Sequence, residues 1–276
     1  MLAIAGGLGV AHAIDAMSVS PASSFVDVAP GQSVGWMESS GGQAGDRSVV
    51  LVHGSPAHAG SWNAILDDAK SIRAGRIVAM DRPGFGSATA PSSGALADHV
   101  AAIRAVIAAA GLERPVLVGH SYGGPVVLRA AVELGDEIGG IVILAGGCDP
   151  AMDDPKWLRR GVDRLGPILP ASWANSNREL LAMNRENHRM QARLADVRCP
   201  VGIVHGTWDP VCPHDATVAY LESQLTSARW IETRSLPRHG HNVHMSAPGD
   251  AIALVNRMLA ELDRGSHGGV ESVDVQ

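Results

Sequence analysis

The chain has 276 residues, of which 46% are hydrophobic and 18% charged; that apolar share is enough for a sizeable core and excludes a wholly disordered chain. Lys and Arg number 22 against 28 Asp and Glu, leaving a formal charge of −6, so no basic excess points to nucleic acid or an anionic lipid surface. Six Trp stand against only two Tyr and two Phe, and 32 Gly with 16 Pro promise many turns.

Leu2 to Ile14 is apolar and small, and Ala11-His12-Ala13 resembles a signal-peptidase site. No Lys or Arg precedes it, and about 13 apolar residues are too few to span a bilayer. Two readings stand: a weak or truncated export signal, with residues 1–20 exporting or anchoring the chain, and a plain apolar tail on a cytoplasmic protein. No other segment reads as transmembrane, so membrane contact is expected only through this segment.

Phe25–Val28 and Ser33–Glu38, separated by Pro30-Gly31, predict a hairpin. Ser48–His53, Arg76–Met80, Pro115–Gly119, Ile138–Leu144 and Val201–His205 read as strands buried on both faces. Near-continuous apolar runs of this kind belong to parallel sheets. Between them, Leu96, Val100, Ile103, Ile107 and Ala110 keep a helical period that Gly111 stops, and Tyr122–Leu134 is closed by Gly135. Ala228–Thr233 reads as a last strand and Pro248–Leu262 as a last helix. Such alternation predicts one α/β domain, a mostly parallel sheet with helices on both faces.

Cys148 to Arg198 breaks the rhythm. It shows no strand signal, but it holds Trp157, Trp173 and a helical pattern of Leu180, Met183, Met190 and Leu194. A stripe containing Met reads first as core packing. Its place between two strands makes it an insertion, a small helical cap. The expected division is a tail or anchor over 1–23, a core over 24–147 and 199–263, a cap over 148–198 and a tail over 264–276. Cys148, Cys199 and Cys212 make no disulfide framework and read as free thiols, with a Cys148–Cys212 pair left open.

Gly119-His120-Ser121-Tyr122-Gly123 follows a predicted strand and opens a predicted helix. That is G-x-S-x-G in the setting that gives it mechanical meaning. The Ser sits on a sharp strand-to-helix turn, glycines leave room for its strained backbone, and its Oγ stands at the carboxyl edge of the sheet. The next backbone N–H, on Tyr122, points from the helix N-terminus at the reacting atom.

From about Phe25 to Leu262 the chain resembles the α/β-hydrolase superfamily. His53-Gly54-Ser55-Pro56 with Trp62 looks like its H-G-x-P loop, and Asp81-Arg82-Pro83-Gly84-Phe85-Gly86-Ser87 is similar to its D-x-P-G-x-G-x-S turn. Trp173–Asn177 and Glu179-Leu180-Leu181, leading into Cys199-Pro200-Val201, resemble the cap end of bacterial serine esterases and hydrolases with a short helical cap. The resemblance implies the order nucleophile, acid, histidine. Gly206-Thr207-Trp208-Asp209-Pro210-Val211-Cys212-Pro213 is similar to the family's G-x-x-D-x-x-V-P turn, with Cys212 as a departure. Asp209 is the implied acid, and Asp149, after the preceding strand, is the alternative. Gly240-His241 with Pro248 matches the G-H…P pattern, which favours His241 over His239 and His244 as base.

The implied reaction is carboxylic-ester hydrolysis through Ser121, His241 and Asp209, with the N–H groups of Ser55 and Tyr122 holding the oxyanion and no cofactor. The expected partner is a small-molecule ester with an apolar portion, and Trp157, Leu169, Trp173 and Met183 are candidate pocket residues. Oligomeric state is left open. Lactonase, lysophospholipase, carbon–carbon hydrolase and cofactor-free peroxidase chemistry share the same triad. His239-Gly240-His241-Asn242-Val243-His244 is also H-x-H-x-x-H, which raises a zinc-dependent hydrolase as a different class.

Overall fold

In the computed structural model of the protein, residues 23–43, 47–147, 149–151 and 169–267 are described. The N-terminal segment 1–20, Cys148, Trp157 and residues 268–276 lie outside them.

The described residues build one sheet of eight strands: β1 (Ser24–Ala29), β2 (Gln32–Ser40), β3 (Ser48–Val52), β4 (Arg76–Met80), β5 (Val116–His120), β6 (Gly140–Leu144), β7 (Val201–Gly206) and β8 (Ile231–Leu236). Their spatial order is β1-β2-β4-β3-β5-β6-β7-β8. The hairpin β1–β2 and the β2–β4 pair are antiparallel, and β4 through β8 pair in parallel. Seven helices among the described residues accompany them: α1 (Asn63–Leu66), α2 (Leu96–Ala109), α3 (Gly123–Leu134), α4 (Ala171–Gln191), α5 (His214–Gln224), α6 (Val243–Ser246) and α7 (Pro248–His267).

Alternation along the strands divides the core into two layers. Val50 and Val52 of β3 face a layer closed by α2 and α3, where Val100, Ile103, Val126 and Val127 pack. Val49 and Leu51 face the other layer, closed by Trp62, Ile65 and α7 through Leu254, Val255 and Met258. Every residue of β3, β5, β6 and β7 is buried, the two-faced burial that a covered parallel sheet requires. Each such Val, Leu or Ile contributes about 1.5–3 kcal/mol of transfer free energy.

Two expectations shift. The last strand spans Ile231–Leu236 rather than Ala228–Thr233. The Ala228 N–H turns back to Leu225 O and the Arg229 N–H goes to Arg198 O, so regular pairing with β7 starts only at Ile231. As an edge strand with mostly half-buried residues, β8 carries little periodic signal.

The helical pattern expected around Leu180 is real, and α4 spans 21 residues, but its buried face differs from the apolar stripe. Ser176, Asn177, Glu179, Glu186 and Asn187 are buried beside Ala182 and Met190, while Leu180 is only half-buried. Met190 and Leu194 join the main core and Met183 packs against it, as core packing predicts. Cys199 and Cys212 are free thiols. No helix among the described residues is long and apolar enough to cross a membrane.

Candidate active site

At the carboxyl edge, the chain runs from β3 to β4 on one side and from β5 toward β8 on the other. Loops after β3 and β5 therefore flank a switch point, the place where open α/β sheets bind ligands. The Ser55 loop follows β3 and Ser121 follows β5, so the topology alone sets them side by side.

Ser121 has φ +52°, a left-handed conformation rare for a residue with a side chain. Its N–H donates to Leu144 O at 3.0 Å, and its carbonyl accepts from Gly124 N at 2.8 Å. The turn closes because its neighbours lack a Cβ. A methyl on Gly119 would lie 2.2 Å from Gly123 O, and one on Gly123 would lie 2.3 Å from Val52 O. The strain is held by the two strands beside β5 and by α3, a placement that active sites use to present a side chain.

His241 bridges the two predicted partners. Its Nε2 lies 2.8 Å from Ser121 Oγ and its Nδ1 lies 2.8 Å from Asp209 Oδ2. An ionised carboxylate only accepts, so Nδ1 carries the ring proton and Nε2 is left to accept from Ser121. Asp209 is buried, with Ser121 and His241 half-buried above it. Burial alone would raise the Asp209 carboxyl. Hydrogen bonds from His205 and His241, and from the Cys212 N–H, outweigh burial and hold it well below the usual carboxylate range. Asp149 accepts from Ala151 N at 2.8 Å, a local turn contact. The structure thus brings Asp209 to the imidazole.

The N–H groups of Ser55 and Tyr122 have no acceptor among the described residues. A Cβ built on Gly54 would sit 3.0 Å from Ser121 Cβ, which places this loop against the Ser121 side chain. Tyr122 is the cap residue of α3, so its N–H has no partner within the helix.

Of the candidate pocket residues, Leu169 and Trp173 are half-buried at the start of α4, Met183 contacts the core, and Trp157 lies outside the described residues. Trp62 is fully buried beneath the site, edge-on to His120 and His244. Trp208 is 66% exposed, and with Val211 at 54% and Met245 of α6 at 37% it leaves apolar side chains exposed close in sequence to Asp209 and His241.

The three histidines of the H-x-H-x-x-H run do not converge. His239 Nδ1 meets Ser246 Oγ at 3.0 Å, both nitrogens of His241 serve Ser121 and Asp209, and His244 is buried 3.8 Å from the His120 ring. Among the described residues, the one triple of metal-type donors in close reach is Asp209, Cys212 and His241.

Sequence reasoning missed two features. His205, fully buried in β7, places Nε2 3.3 Å from Asp209 Oδ2. Its signal was an imidazole inside a fully buried strand, four residues before the acid. The second is a buried set of Arg82, Glu179 and His99, all within hydrogen-bonding reach. A glutamate flanked by the apolar pattern of α4 was the only sign of it.

A family model described as the alpha/beta hydrolase family matches residues 49–254. A Pseudomonas sp. 2-hydroxy-6-oxononadienedioate/2-hydroxy-6-oxononatrienedioate hydrolase is 30% identical over 140 residues, 49% of this chain and 48% of that one. The match thus spans about half the length of that curated relative. Among solved structures, a thermophilic esterase from Thermogutta terrifontis superposes with TM-score 0.71 at 20% identity, covering 87% of this chain and 98% of that one. A bromoperoxidase from Bacillus anthracis gives TM-score 0.68 at 18% identity, covering 86% and 99%. At these identities the likeness is one of fold, and it spans more than one chemistry.

Proposed function

The chain belongs to the alpha/beta hydrolase family, and from that membership we propose that it is a serine hydrolase of carboxylic esters. The observation that carries the proposal is the unbroken relay from Ser121 Oγ through His241 to Asp209, with both links at 2.8 Å. Ser121 Oγ attacks the ester carbonyl as its proton passes to His241 Nε2. Asp209 stabilises the imidazolium, and the N–H groups of Ser55 and Tyr122 receive the oxyanion. His241 then protonates the leaving alcohol, and water, activated by the same imidazole, hydrolyses the acyl-enzyme. Removing one oxyanion donor typically costs about 10²–10³ in rate. None of these steps calls for a metal or an organic cofactor. The exposed Trp208, Val211 and Met245 support a substrate with an apolar acyl or alcohol portion.

The test is labelling by a fluorophosphonate, read by mass spectrometry, beside a p-nitrophenyl ester chain-length series. Modification at Ser121 and loss of turnover in Ser121→Ala are expected. Labelling elsewhere, or full activity in Ser121→Ala, overturns the mechanism.

A second reading keeps the same nucleophile and changes the bond. The Pseudomonas relative's name specifies a 6-oxo dienoate, in which a ketone stands where an ester presents its carbonyl. Faster turnover of such a vinylogous ketone than of any ester in the series would favour carbon–carbon hydrolysis.

A further inference from the structure

Arg82, two residues after β4, is fully buried and turned toward the Ser55 loop. Its Nε donates to His53 O at 2.9 Å and its Nη2 to Gly54 O at 2.7 Å. Its own N–H donates to His53 Nε2 at 3.0 Å, which leaves the ring proton on Nδ1, 2.7 Å from Gly54 O. The Gly54 carbonyl therefore receives two donors.

That carbonyl belongs to the same planar peptide as the Ser55 N–H. In a trans peptide the two groups point in opposite directions, so fixing one aims the other. The guanidinium also lies 4.9 Å from the ring of Tyr122, the residue that supplies the second N–H.

A buried guanidinium needs a counter-charge, and the cap helix provides it. Glu179 of α4 meets Arg82 with both oxygens, Oε1 to Nη1 at 2.5 Å and Oε2 to Nη2 at 3.2 Å. Glu179 Oε1 further accepts from His99 Nε2 at 2.9 Å and Ser92 Oγ at 3.3 Å. The same helix is tied down by Asn175 Nδ2 on Gly84 O at 2.6 Å and by Arg178 Nη1 on Ser92 O at 2.9 Å.

We propose that Arg82 is a positioning residue that aims the Ser55 N–H of the oxyanion hole, and that Glu179 couples this aim to the docking of α4. The inference rests on the serine-hydrolase reading. With α4 displaced, Arg82 would lose its counter-charge and turn to water, releasing Gly54 O. Docking of the cap helix and readiness of the oxyanion hole are then one event.

The test measures kcat and KM on a p-nitrophenyl ester, and affinity for a trifluoromethyl ketone, in wild-type, Arg82→Lys and Glu179→Gln. A lysine keeps the charge but cannot fork between His53 O and Gly54 O. The expected result is a fall in kcat between about tenfold and 10²-fold, with the ketone weakened in parallel. KM should stay within about twofold and the pH profile of kcat/KM should keep its shape, because the His241 relay is untouched. Should Arg82→Lys not fold, Glu179→Gln carries the same comparison. Unchanged ketone affinity with a loss confined to KM, or to the folded fraction, overturns the positioning role alone. Wild-type protein that neither cleaves esters nor takes the phosphonate at Ser121 removes the parent reading, and the proposal with it.

Discussion

His205 Nε2 stands 3.3 Å from Asp209 Oδ2 and 2.8 Å from Cys212 O, so the carboxylate that orients His241 is itself gripped by a second, fully buried imidazole. Both neighbours are acceptors, which puts the His205 proton on Nε2. Two backbone N–H groups, of Val211 and Cys212, take the other oxygen of Asp209 at 2.8 and 2.9 Å. Oδ2, shared by His205 and His241, is thereby fixed in one direction.

Replacing His205 by Phe fills the ring volume and removes that donor. Asp209 keeps its two backbone contacts but gains freedom to turn away from His241. A fall in kcat on the order of tenfold is expected, with KM little changed. Steady-state kinetics on one ester suffice, and unchanged kcat would show that the backbone contacts alone hold the acid.

The two candidate acids separate cleanly. Asp209→Asn leaves the side-chain shape but presents an amide where His241 Nδ1–H needs a carboxylate, inviting the wrong tautomer. A drop in kcat of about 10⁴ is expected by analogy with other triads. Among the described residues the Asp149 side chain meets only Ala151 N, so Asp149→Asn should stay within about threefold of wild type. Comparable losses in the two variants would contradict the geometry.

Much of this site was legible because its parts are local. Gly119 to Gly123 states a turn, and the strand before and helix after it are visible in the same few residues. The loops bearing Asp209 and His241 likewise announce themselves by short motifs beside strands. The buried ion pair stayed hidden because it depends on a contact between distant residues. Arg82 and Glu179 are 97 positions apart, and only the folded chain shows that a charged residue belongs on the buried face of α4. Of the stripe, Leu180 alone departs from core packing for that reason: a buried guanidinium drew Glu179 inward and left Leu180 half-buried. β8 was misplaced by three residues because an edge strand has little burial to write into its sequence. The alternative zinc reading of His239, His241 and His244 failed on spacing in three dimensions, since α6 begins at Val243 and carries His244 down against His120.

Gly123→Ala tests the elbow without touching a reacting atom. The added methyl would lie 2.3 Å from Val52 O and 3.1 Å from His53 O, and both are backbone atoms of the central sheet that cannot step aside. Destabilisation of more than about 3 kcal/mol is expected, seen as a large loss in urea midpoint or as insoluble protein. Gly111→Ala is the matched control. There φ is +60° but nothing lies within 4 Å, so only the roughly 1 kcal/mol penalty of a left-handed residue applies.

Acid should unfold this protein earlier than its carboxylates alone would dictate. His53, His99, His120 and His244 are all buried. Burial depresses each of them, with His244 pushed down to about 3. In the unfolded chain each titrates near 6.5. Between that value and the folded one, the unfolded state binds a proton that the native state refuses, so stability rises with pH there. Their contribution is whole above about pH 7 and is lost as pH falls, at up to about 1.4 kcal/mol per pH unit for each histidine. Carboxylates add a second phase. Burial would raise Glu179, but the Arg82 charge and the His99 hydrogen bond bring it down to about 2. Its contribution is therefore lost as pH falls below about 4 toward 2. Urea midpoints measured from pH 8 to pH 2 should hold steady above 7 and then drop, well before carboxylates titrate. His244→Phe should shallow that first slope by about one proton while leaving the later phase in place. A midpoint constant from pH 7 to 4.5 would mean that these imidazoles take up protons in the folded state.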